Sequence, residues 1–125
     1  MVEGSEEAAA LAREVSTAAR AAGRRLAVAE SLTGGALSTA LASAPHAGEW
    51  YAGGVIAYQV ATKQRVLGVT TDAVVTDRCA IEMARGVREV LAADVFEHRF
   101  DGEPDAVVRA AIRATIAHLR DALRR

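Results

Sequence analysis

Ala27-Val28-Ala29-Glu30-Ser31-Leu32-Thr33-Gly34-Gly35, running into Ala36-Leu37-Ser38-Thr39-Ala40-Leu41, is the stretch that decides how this chain folds. A short apolar strand enters it and a helix with a small-residue face leaves it. The turn between them carries a carboxylate, two hydroxyls and two adjacent glycines. Glycines allow backbone N–H groups to approach a ligand with no Cβ in the way, and those groups sit at the positive end of the following helix, so an anionic guest is expected. Ser31, at the strand end, stands where open α/β sheets place their ligands. The same residues also read as a capped helix after a tight turn, with Ser31 or Thr33 bonding a free backbone N–H.

Upstream, residues 5 to 22 read as a helix. Ser5 can cap it, Glu6 and Glu7 suit its N-terminal end, Leu11, Val15, Ala18 and Ala22 recur at helical spacing, and Gly23 ends it. Arg24 and Arg25 read as a solvated charge pair. Leu26 to Ala29 is too short and apolar to show alternation, which suits a strand covered on both faces. Downstream, the helix from the glycine turn runs to about Ser43, where Pro45, His46 and Gly48 break the pattern. Gly53-Gly54-Val55-Ile56-Ala57-Tyr58 reads as a glycine pair feeding a second apolar strand, with Tyr58 at its end as Ser31 is at the first. A short helix holds Thr62-Lys63-Gln64-Arg65 and is closed by Gly68. Thr76 and Asp77 open another, with Ala80, Met83, Ala84, Val87 and Leu91 on one face. Asp94 to Phe100 alternates as a half-exposed strand, Asp101-Gly102-Glu103-Pro104 turns the chain, and a last helix carries Val108, Ile112, Ile116, Leu119 and Leu123 on one stripe. Its exposed face ends in Arg120, Arg124 and Arg125.

These elements make a single domain over residues 1–125, with no repeat or linker. Of the 125 residues 51% are hydrophobic but only 4% aromatic, so the core is ample in number and poor in area per residue. Such a domain is expected to be of modest stability or to lean on a partner subunit. A net charge of -1 supplies no basic field for a phosphate backbone, so nucleic acid is not an expected partner. No run approaches the ~18 apolar residues of a membrane span, and Met1 to Glu7 lack the basic and apolar regions of a leader, so a cytoplasmic protein is expected. Cys79, in a helical pattern, reads as a buried small hydrophobe. His46, His98 and His118 are too scattered for a metal site, and no metal or cofactor is expected.

The chemistry concentrates at Ser31, Tyr58 and Lys63. A serine hydroxyl is a poor nucleophile until a base takes its proton, and with no suitably placed histidine the best base is a lysine partly stripped of water. Tyr58 could relay that proton or donate to an oxyanion, and N–H groups around Thr33, Gly34 and Gly35 could hold a phosphate or a tetrahedral intermediate. Lys63 equally reads as a solvated helix lysine, and Tyr58 as a strand-end residue with its hydroxyl in water.

Ala29-Glu30-Ser31-Leu32-Thr33-Gly34-Gly35, Gly53 to Tyr58 with Lys63 and Leu67-Gly68-Val69, and Ala80-Ile81-Glu82-Met83-Ala84 together resemble the C-terminal domain of CinA proteins. That family includes stand-alone nicotinamide-nucleotide amidohydrolases. The resemblance implies a three-layer α/β domain with a central sheet flanked by helices, often a homo-oligomer, that binds a pyridine nucleotide. The implied reaction converts nicotinamide mononucleotide to nicotinate mononucleotide and ammonia. It makes Ser31 the nucleophile and Lys63 with Tyr58 its activating partners. Glu30, Thr33, Gly34 and Gly35 become the substrate-binding set, with Glu30 as a supporting carboxylate. The sequence departs from the family pattern after Ala93: a Thr-Gly-x-x-Gly-Pro-Gly-Gly loop and its neighbouring strand are missing, and Asp94-Val95 run straight into Phe96. A reduced sheet and a site more open to water are expected. A catalytically silent relative, binding a nucleotide or pairing with a homologue as a regulatory or structural subunit, is the competing reading.

Overall fold

The computed structural model describes residues 5–74, 76–91 and 116–125. Helix α1 spans Ser5–Ala22, as its pattern predicts, and the chain leaves it through Gly23 in the left-handed region (φ 64°). Its buried stripe is Ala8, Ala12, Val15, Ala18 and Ala19, while Ala22 is exposed and Leu11 half-buried. It shares Val15 and Ala18 with the predicted stripe and extends to the alanines beside them. Ser16, on the buried side, donates to the Pro45 carbonyl (2.6 Å) and accepts from Trp50 Nε1 (3.1 Å).

Strand β1 (Leu26–Glu30) pairs in parallel with β2 (Tyr51–Ile56), and these make the sheet of the described residues. Between them run α2 (Ala36–Ala42) and a four-residue helix α3 (Ala47–Trp50). The sequence pattern marked 45 to 48 only as a break. His46 enters the left-handed region (φ 58°) and restarts the chain as α3, which buries Trp50. Strand β2 begins two residues before the glycine pair, so Gly53 and Gly54 lie inside it. A Cβ on Gly54 would stand 2.6 Å from Ser38 Oγ, so glycine there lets α2 close on the strand. Helix α4 (Val60–Leu67) ends at Gly68, and α5 (Asp77–Leu91) packs against α4 and the sheet. A Cβ on Gly86 would stand 2.0 Å from the Leu67 carbonyl oxygen, so α5 passes directly over the end of α4.

Alternation along β1 sorts the core into two clusters, giving helix, sheet, helix. Leu26 and Val28 join α1, α2, α3 and Ile116, Leu119 and Leu123 of the helical segment 116–123. Ala27 and Ala29 face Leu67, Cys79, Met83 and Val87 from the α4 and α5 side. This is the expected three-layer α/β arrangement, with Cys79 fully buried. On α5 the buried line is Cys79, Met83, Gly86 and Val87, so it runs beside the predicted face and shares two residues with it. Arg120 is tied to α1 through Glu14 (2.6 Å). The strand read at Asp94 to Phe100, the turn at 101–104, His98 and the Val108 and Ile112 part of the last helix lie outside the described residues. Among the described residues no helix is long and apolar enough to cross a membrane.

Candidate active site

A strand presents successive side chains to opposite faces. At the end of β1 this sends Glu30 toward α2 and leaves Ser31 on the side of α4. Glu30 is 2% exposed, and its carboxylate fills the N-terminal end of α2. Oε1 accepts from Thr33 Oγ1 (2.6 Å), Gly35 N (3.1 Å) and Leu37 N (3.0 Å). Oε2 accepts from Ser38 N (2.9 Å) and from the Ser38 hydroxyl. A charge deep in the protein needs such a set of donors, and the helix dipole adds to them. The turn that makes this closure possible uses Gly34 (φ 57°) and Gly35 (φ 106°), both in the region that favours glycine.

Lys63 is 3% exposed, on the inner face of α4. Its Nζ lies 3.0 Å from Ser31 Oγ and donates to the main-chain carbonyl of Tyr58 at 2.9 Å. No carboxylate pairs with it among the described residues. The three residues nominated from the sequence therefore meet, but Tyr58 does so through its backbone. Its side chain is 64% exposed, and the phenol reaches neither Ser31 nor Lys63.

The residues of the expected substrate-binding set are engaged with one another in this structure. Glu30 is turned inward, Thr33 Oγ1 and the Gly35 amide donate to it, and the Gly34 amide donates to the Ser31 carbonyl (3.1 Å). These groups are already hydrogen-bonded within the protein. The amides of Leu32 and Thr33, immediately after Ser31, have no acceptor among the described residues.

Ser38 and Tyr51 were not anticipated as part of this region. Tyr51 Oη is buried beside Ser38 with no hydrogen bond in good geometry among the described residues. Burial pushes its phenol above the ordinary value, against the effect of Ser38 and helped by the Glu30 charge. Helical spacing after Glu30 was a possible signal for Ser38, since the capping contacts fall seven and eight residues on. Among the described residues no three His, Cys, Asp or Glu side chains are placed to hold a metal ion.

The profile of the CinA C-terminal domain matches residues 8–96. The chain belongs to the CinA C-terminal domain family. Relatives include a CinA-like protein of Prochlorococcus marinus, 46% identical over 80 residues, which are 60% of this chain and 19% of that protein. A putative competence-damage inducible protein of Bacillus velezensis is 38% identical over 90 residues, 68% of this chain and 22% of its own length. The chain thus spans about a fifth of these relatives. The crystal structure of a CinA superfamily protein from Klebsiella pneumoniae superposes with a TM-score of 0.83 at 26% identity, covering 94% of this chain and 98% of that one.

Proposed function

We propose that this CinA-family domain is an amidohydrolase that converts nicotinamide mononucleotide to nicotinate mononucleotide and ammonia. The observation that carries the reading is the buried Lys63 amine 3.0 Å from the Ser31 hydroxyl, with the Tyr58 carbonyl fixing its direction. In its amine form Lys63 accepts the Ser31 proton as Oγ attacks the carboxamide carbon. The carbonyl oxygen takes up the negative charge, and the Leu32 and Thr33 amides are its donors. Lys63 then returns the proton to the departing nitrogen, which leaves as ammonia. The acyl group stays on Ser31 until water, deprotonated by the same amine, releases the acid and restores the hydroxyl.

Purified protein incubated with nicotinamide mononucleotide is expected to release ammonia in a coupled assay. Ser31→Ala is expected to abolish release, and Lys63→Met to lower kcat by roughly 10³ or more. Wild-type protein that neither binds nor turns over the nucleotide would refute the reading. Binding without turnover would favour the non-catalytic subunit.

A further inference from the structure

Helix α4 carries Lys63 and is only eight residues long. A helix of about two turns has little stability of its own, so its place is set by what holds its ends. At the N-terminal end Gln59 makes no side-chain capping bond among the described residues. The C-terminal end is closed twice: the Gly68 amide donates to the Gln64 carbonyl (3.1 Å) and the Val69 amide to the carbonyl of Lys63 itself (3.2 Å). Thr70, the next residue, is exposed yet fastened to α5. Glu82 Oε2 accepts from its amide (2.6 Å) and Oε1 from its hydroxyl (2.8 Å). Arg78 completes the group, donating from Nε to Glu82 (2.9 Å) and from Nη2 to Thr70 Oγ1 (3.0 Å).

A surface ion pair such as Arg78 with Glu82 adds little to stability. The bond to a main-chain amide acts differently, because it fixes the path of the backbone one residue beyond the amide that holds the Lys63 carbonyl. Glu82 and Gly86 are four apart on α5 and so share a face, and Gly86 abuts the Leu67 carbonyl. Helix α5 therefore meets the end of α4 at two points, one by packing and one by hydrogen bonds. We propose that Glu82 is a positioning residue for Lys63: by anchoring Thr70 it fixes the closed end of α4 and so keeps the lysine amine within reach of the Ser31 hydroxyl. The inference rests on the amidohydrolase reading for its kinetic readout, while the geometry it claims can be read without turnover.

The test compares wild type, Glu82→Ala and Glu82→Gln in steady-state ammonia release from nicotinamide mononucleotide, below the melting temperature of each. Glu82→Ala frees Thr70 and is expected to lower kcat by about ten- to hundredfold with KM within about threefold, the loss that a displacement of about 1 Å brings. Glu82→Gln can still accept from the Thr70 amide and donate to its hydroxyl, and is expected to keep kcat within about threefold. Leu123→Ala, in the core cluster on the other side of the sheet, controls for lowered stability alone and is expected to keep kcat. An unchanged kcat in Glu82→Ala, or an equal loss in Glu82→Gln or in Leu123→Ala, would overturn the inference. Should Glu82→Ala not melt cooperatively, Glu82→Asp, whose carboxylate stops a methylene short of Thr70, takes its place with the same expectation. Wild type that releases no ammonia defeats the amidohydrolase reading alone. Crystal structures then decide: Lys63 Nζ beyond about 3.5 Å from Ser31 Oγ in Glu82→Ala but within it in Glu82→Gln supports the inference, and an unmoved amine in Glu82→Ala overturns it.

Discussion

Replacing Glu30 separates the energetic role of the strand end from its chemistry. In Glu30→Ala five donor contacts lose their acceptor, and the Leu37 N–H among them is buried. One orphaned buried donor costs about 1–3 kcal/mol and a lost helix cap about 0.5–2 kcal/mol, so with the partly buried Ser38 and Gly35 amides the total is about 3–5 kcal/mol. That is a large share of the ~5–15 kcal/mol that holds a domain together. Glu30→Gln keeps the shape and one acceptor oxygen. Its amide nitrogen meets the Ser38 N–H donor to donor, while the Ser38 hydroxyl can rotate to accept, so about 1–3 kcal/mol is expected. Trp50, the sole tryptophan and 1% exposed, reports unfolding by fluorescence. In urea at pH 7, with m of about 1–3 kcal/mol/M, Glu30→Ala should lower the midpoint by roughly 2 M and Glu30→Gln by about half as much. Wild-type midpoints for both variants, or equal losses for the two, would refute the capping argument.

The close passage of α5 over α4 predicts that Gly86→Ala is destabilising by at least the ~1–3 kcal/mol of an overpacked core, because the obstacle is the Leu67 backbone and not a flexible side chain. Urea unfolding measures it, and α4 displaced by the methyl should also slow ammonia release by moving Lys63 from Ser31. Cys79 is held above the ordinary thiol range by burial, with Lys63 opposing and Glu82 adding to the shift. Folded protein at pH 8 is therefore expected to resist an aromatic disulfide reagent for many minutes, and urea-unfolded protein to react at once. Because the folded value is the higher one, the stability this thiol contributes is complete below the unfolded value of ~8.5 and is lost as pH rises toward the folded value.

Much of this arrangement was legible in the residues themselves. Gly23 and Gly68 ended α1 and α4 where the pattern placed them, because glycine enters the left-handed region without strain. The meeting of positions 31 and 63 was expected from the family resemblance, since the residues alone also read Lys63 as a solvated helix lysine. What stayed hidden depends on contacts that no local pattern encodes. Glu30 had the composition of a ligand-binding carboxylate, and only the path of α2 shows that its donors come from residues 33 to 38. Gly53 and Gly54 read as a lead-in to β2, yet they lie within it: Gly54 makes room for Ser38 of α2, and Gly53 takes a positive φ of 129°. Tyr58 was the right residue by position, and its contribution to Lys63 comes from an atom that sequence cannot distinguish from any other residue's.

Neighbouring positions 30 and 31 sit on opposite sides of the sheet, one peptide bond apart, and so divide two duties. The residue that would react is partly open to solvent, whereas the residue that secures the helix is sealed inside. Under the proposed function, a descendant with alanine at 31, its hydroxyl replaced by hydrogen, would forfeit its chemistry with little thermodynamic trace. A change one step earlier would threaten the architecture first. Retention of the carboxylate in a relative is thus a record of folding, whereas under the proposed function the serine and the amine that faces it would report on turnover.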